Sequence, residues 1–158
     1  MRTTKTDRTG ARSARQVHQS SWTEYLESET ARMDTLGLRS GLISVTLGDP
    51  DVDAGQYSVA RDRALRLLIH TISPTSRLAP TSARSIAVLE APLTSLHDLE
   101  RHARSISTRL AVAGLTAAVG YAHRRSDEPL LDTWARSDAE ADRAAFRLHH
   151  PEGGLRLR

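Results

Sequence analysis

Apolar residues recur at helical spacing in four stretches of the chain, with short β-branched runs between them. From Ser21 to Leu36 the apolar positions are Trp22, Tyr25, Leu26, Met33 and Leu36, with Glu24, Glu27 and Arg32 interleaved. That pattern predicts an amphipathic helix, which Gly37 ends. Gly41–Leu47 (GLISVTL) reads as a strand with Ile43, Val45 and Leu47 on one face. Residues 48–55 are turn chemistry throughout. A second helix is predicted from Ser58 to Thr71, with Ala64, Leu65, Leu68, Ile69 and Ile72 as its stripe.

Ser73–Ala83 is rich in Pro, Ser and Thr and reads as a loop or a loose hairpin into a strand at Ser85–Glu90. Ala91-Pro92-Leu93 breaks that strand. Ser95 and Asp98 are spaced as a capping box and open a third helix, expected to bury Leu96, Leu99, Ala103, Ile106, Leu110 and Ala113 before Gly114 closes it. Leu115–Tyr121 is the next predicted strand. The last helix opens at Asp127-Glu128-Pro129, with Leu131, Trp134, Ala135, Ala141, Ala145 and Leu148 as its inner face. Gly153–Arg158 is expected to close the sheet as a short edge strand. The order predicts an α+β sandwich: a central mixed sheet of about five strands with helices on its faces.

Composition narrows the function. The chain has no cysteine, so thiolate metal sites, disulfides and Cys nucleophiles are excluded. No apolar run approaches a membrane span, so the expectation is a cytoplasmic protein without membrane insertion. The net charge of +3 is concentrated in residues 1–20, where Arg2, Lys5, Arg8, Arg12 and Arg15 face only Asp7. This divides the chain into a basic arm at 1–20 and a single nearly neutral domain at 21–158. An RRM-like nucleic-acid binder using the basic arm is one functional class. Tyr121 is the only aromatic in any predicted strand, which argues against nucleic acid as a partner.

Candidate sites are sparse. Asp49, Asp51 and Asp53 alternate like a calcium loop, but the template wants Gly and Glu where Ala54 and Ala60 stand. His97 and His102 do not share a helix face, and no His has a partner at metal-ligand spacing. Arg77 and Arg84 are candidate phosphate contacts. Arg124 and Arg125 read as solvated cations. Trp22 and Trp134 lie on apolar stripes and read as core or interface residues.

Several strings, in order, resemble the GGDEF domain, the diguanylate cyclase fold. Leu115–Ala122 (LTAAVGYA) is similar to the family's SIGVA strand. Leu130–Ala145 (LLDTWARSDAEADRAA) is similar to its LLxxADxALYxAK helix. Asp7–Arg15 (DRTGARSAR) resembles the DxLTGLxNR entry motif, one residue short. Ile86–Leu89 (IAVL) stands where the family has FAVL. This alignment places Ser82, Ala83, Arg84, Ser85 and Ile86 on the GGDEF signature.

The resemblance implies glycines that admit a nucleotide and an acidic pair that ligates metal; here Ser82 and Ala83 carry side chains, and Arg84 and Ser85 replace the acids. The implied metal-binding Asp falls on Thr46, or on Gly48 in another register. The implied guanine-reading segment is missing, and the inhibitory RxxD motif falls on Ser73 and Ser76. The expectation is a GGDEF-like domain without cyclase activity, cofactor or metal. It would serve as a regulatory module of bacterial cyclic-di-GMP signalling that partners a second copy or another signalling protein. A receptor binding a guanine nucleotide or cyclic dinucleotide without turnover is the alternative.

Overall fold

The computed structural model describes residues 15–49 and 51–151. The expected closing strand at Gly153–Arg158 lies outside them, as does all of the Asp7–Arg15 string except Arg15.

The helices are α1 (Trp22–Leu36), α2 (Ser58–Leu68), α3 (Leu96–Val112) and α4 (Leu130–His149); the strands are β1 (Gly41–Leu47), β2 (Arg77–Pro80), β3 (Ser85–Glu90) and β4 (Ala117–His123). The strands form one four-stranded sheet in the order β2-β3-β1-β4. Every pairing within it is antiparallel. The expected mixed sheet of about five strands is thus, among the described residues, a four-stranded antiparallel one. The reason is connectivity: β2 and β3 are joined by a tight hairpin, and the helical connections return the chain to opposite directions across β1.

β1 lies in the middle of the sheet and is buried along its whole length. Its two faces serve two cores. Ile43, Val45 and Leu47 join Leu65 and Leu68 of α2 and Leu99, Ile106 and Leu110 of α3. Leu42 joins Trp22, Leu26 and Met33 of α1 and Leu130 of α4. β3 divides in the same alternation, with Ile86 and Val88 toward the first core and Ala87 and Leu89 toward the second. The result is a three-layer sandwich, α1 and α4 on one face and α2 and α3 on the other. Each fully buried aliphatic side chain stabilises it by about 1.5–3 kcal/mol.

On the second face Ser44 is paired, while the indole Nε1 of Trp22 and of Trp134 is buried without a partner. Ser44 Oγ lies 2.8 Å from Ser137 Oγ, inside the β1–α4 interface. Trp22 is 1% exposed. It stacks on Tyr25 and meets Trp134 edge-on, at 5.8 and 6.3 Å between centroids, so these aromatics are core.

Some expected inward positions face out. Leu36 (57% exposed) and Leu148 (54%) sit in the last turns of their helices, and Leu96 (62%) in a first turn, beyond the reach of the sheet. α2 ends at Leu68, three residues early, and β4 begins at Ala117 because Leu115 closes the turn after Gly114. The capping box at Ser95 and Asp98 forms as the spacing predicts.

Residues 15–20 run beside the sheet. Gln16 bridges Leu78 in parallel. The Val17 amide donates to the Leu78 carbonyl at 2.8 Å.

Candidate functional site

The β2–β3 hairpin brings Ser82–Ile86 to one end of the sheet. Pro80 pairs with Ile86, which leaves the intervening residues as the turn. The Thr81 amide donates to the Ser85 carbonyl at 2.9 Å, and the Arg84 amide donates to Ser82 Oγ at 3.3 Å. A serine hydroxyl thus organises this turn where the resemblance implies glycine. Arg61 of α2 holds the outside of the turn by donating from Nη1 to the Ser82 carbonyl at 2.9 Å.

The turn is joined directly to the end of β1. The Leu47 amide donates to the Arg84 carbonyl at 2.9 Å, and Thr46 pairs with Ser85. Thr46, 4% exposed, is therefore brought beside Ser85 as the resemblance implies. Beyond β1 the chain bends at Gly48, whose φ of 72° is left-handed. A Cβ there would stand 2.0 Å from Tyr57 Cε1, so Tyr57 is packed on the bare glycine backbone.

Arg84 crosses this junction. Its Nη1 donates to the Asp49 carbonyl at 3.0 Å, and its Nη2 donates to the Val52 carbonyl. Its guanidinium carbon lies 5.2 Å from the centroid of the Tyr57 ring. The Tyr57 hydroxyl accepts from the Asp49 amide at 3.1 Å. A cation, an aromatic face and two carbonyl dipoles therefore fill the space between the hairpin turn and the loop after β1.

Arg77 is elsewhere. It pairs with Leu89 at the opposite end of the hairpin, and its Nη1 donates to the carbonyls of Pro74 and Ser76. The fold does not bring Arg77 and Arg84 together.

The acidic loop is spent on itself. Asp49 Oδ1 accepts from the Asp51 amide at 2.9 Å, and Asp53 Oδ1 accepts from the Gly55 amide at 3.2 Å. Two histidines from the end of α4 approach it: His150 Nε2 lies 3.2 Å from Asp51 Oδ2, and His149 Nδ1 lies 3.9 Å from Asp49 Oδ2. Among the described residues, no three His, Asp or Glu side chains converge as a metal site would need.

Other charges are more engaged than the sequence suggests. Arg124, read as a solvated cation, has a side chain only 8% exposed and pairs with Asp34 of α1 at 2.6 Å. Arg136 forks onto Glu128, with Nε and Nη2 at 2.8 and 2.6 Å from the two oxygens. The Arg136 hydrogen bond, with the Arg125 amide and Thr133 hydroxyl, holds the Glu128 carboxyl down to about 2. Sequence reasoning missed Tyr57, whose place over Gly48 no spacing signals, and the approach of His102 Nδ1 to within 3.3 Å of Glu90 Oε2.

No family model matches the sequence, and no curated protein does. Solved structures do match. A diguanylate cyclase protein from Thermotoga maritima superposes with a TM-score of 0.63 at 12% identity, over 82% of this chain and 95% of that one. The GGDEF domain of DgcB from Caulobacter crescentus, in complex with c-di-GMP, gives 0.59 at 16% identity over 87% and 84%. The diguanylate cyclase SiaD of Pseudomonas aeruginosa, in complex with its activator SiaC, gives 0.60 at 19% identity over 87% of this chain and 55% of that one. The chain thus has the fold of a GGDEF domain.

Proposed function

We propose that this GGDEF-fold domain is catalytically inactive and works as a regulatory, protein-binding module. One observation carries the reading: Arg84 fills the junction between the hairpin turn and the end of β1 with a fixed cation, bonded to the carbonyls of Asp49 and Val52.

Joining two molecules of GTP requires Mg²⁺ beside the attacking hydroxyl and the departing pyrophosphate. Mg²⁺ takes hard oxygen ligands, carboxylates above all, in near-octahedral geometry. The residues here do not fit it. Thr46 and Ser85 offer neutral hydroxyls, Gly48 offers no side chain, and Asp49 accepts from its own turn. A guanidinium at this place repels a divalent ion, and side chains on Ser82 and Ala83 keep a nucleotide off the hairpin backbone.

The same geometry weighs against the receptor reading. Both Arg84 Nη atoms face carbonyl oxygens, so a phosphate would have to displace two existing hydrogen bonds. Function then rests on surfaces. A protein partner accords with the neighbour SiaD, which was solved with its activator. No described helix is long and apolar enough to cross a membrane. The partner is a second copy or another signalling protein, and Phe146 and Leu148, both more than half exposed at the end of α4, offer apolar surface for it.

Calorimetric titration with GTP and Mg²⁺ separates the readings. No saturable heat at millimolar nucleotide is expected. Magnesium-dependent GTP binding lost in Arg84→Ala would replace this reading with the receptor one.

A further inference from the structure

A cavity lies at the other end of β3. It has a volume of about 260 Å³, and its wall is built from β3, α3 and the segment after α2. That is room for roughly nine waters, below the span of most drug-sized sites. Glu90 forms part of its lining and is 4% exposed.

The hydrogen-bonding of this cavity is one-sided. Glu90 Oε2 accepts from Ser76 Oγ at 2.7 Å, while among the described residues Oε1 has no hydrogen-bond partner. His102 Nδ1 stands 3.3 Å from Oε2 without making a hydrogen bond, and it is itself buried and unpartnered. Burial pushes the Glu90 carboxyl above the usual range, against the lowering effect of the Ser76 hydroxyl and His102. Glu90 Oε1 is not fully enclosed, so a donor that enters the cavity can meet it. Beside it lie Ser105, a further polar group, and Ile72 and Ile106, which supply apolar wall.

We propose that this cavity is a binding site for a small organic cation, a primary ammonium or guanidinium on a short alkyl stem. The head would donate to Glu90 Oε1, and the stem would lie on Ile72 and Ile106. A metal ion is the wrong class, because one carboxylate and one imidazole do not complete a coordination shell. An anion is the wrong class because the buried charge is negative. The resemblance implies an Arg–Asp pair at Ser73 and Ser76; hydroxyls stand there instead, and the fixed charge next to them has the sign opposite to that arginine. The site does not depend on the reading of Ser82–Ile86, which lies at the other end of β3.

The test is a ¹H–¹⁵N NMR titration of the full chain with n-butylamine and n-butylguanidine, with n-butanoate as the anionic control. Saturable shifts centred on Glu90, His102 and Ser105 are expected, with a Kd of about 1 mM or tighter for at least one cation. Glu90→Gln should weaken binding at least about tenfold, and Arg84→Ala should leave it unchanged. Ser105→Trp, which crowds the cavity from an exposed helix position, should abolish it and decides the matter if Glu90→Gln does not fold. The proposal is overturned by any of three results: no saturable shift with either cation up to about 20 mM, equal binding of butanoate, or undiminished affinity in a folded Glu90→Gln or Ser105→Trp variant.

Discussion

Arg84 lies over the ring of Tyr57, its guanidinium carbon 5.2 Å from the centroid, and the same ring rests on the bare backbone of Gly48. These contacts make Arg84 a structural cation of the hairpin–loop junction. Arg84→Ala removes two charge-assisted hydrogen bonds to carbonyls and one cation–π contact. The expected cost is about 1–3 kcal/mol, read as a lower midpoint in urea unfolding with the slope unchanged. Arg84→Lys should recover only part of it, because an ammonium cannot fork onto both the Asp49 and Val52 carbonyls. A variant as stable as the parent would mean that Arg84 is a free surface charge.

α4 packs tightly on β4 at Gly120. A Cβ on this residue would stand 2.3 Å from the Ala141 amide nitrogen and 2.6 Å from the Ser137 carbonyl oxygen. Backbone cannot yield as a flexible side chain does, so Gly120→Ala must push α4 off β4. The expected loss is about 1–3 kcal/mol or more, measured by thermal or urea unfolding. Neutral behaviour would contradict this approach of α4 to β4.

Glu128 gives the fold an acid-sensitive contact. Its folded pKa, held near 2 chiefly by the Arg136 hydrogen bond, lies below the ordinary 4.5 of an unfolded glutamate. A depressed carboxyl contributes stability that is fully present above the unfolded value and is lost as pH falls through the folded one. The parent should therefore lose stability relative to Glu128→Gln between about pH 5 and pH 2, by about 1 kcal/mol once solvent screening of the pair is allowed for. Urea midpoints of the two proteins across that range check it; parallel curves would mean that the pair contributes nothing.

The order of elements was legible because long helices carry a strong period and clear caps. Ser95 and Asp98, three apart before an apolar run, formed their capping box as written. β1 was harder. The spacing gave Ile43, Val45 and Leu47 a shared face but no partner for Ser44, which meets Ser137 from 93 residues away; only the tertiary fold makes such a position interior. The Pro, Ser and Thr content of Ser73–Ala83 left a loop or a loose hairpin open, and the structure has the β2–β3 hairpin there. What Arg84 does there was not legible, since its partners are backbone carbonyls, which carry no residue-type signal. Glu90 and His102 come from different elements, and a strand-end acid gave no hint of a helix histidine 3.3 Å away.

Turnover of GTP tests the central claim most directly. The full chain, incubated with GTP and Mg²⁺ beside an active diguanylate cyclase as control, should release no pyrophosphate above the protein-free background and form no cyclic dinucleotide. Magnesium-dependent pyrophosphate release, abolished by a substitution at Thr46 or Ser85, would contradict it.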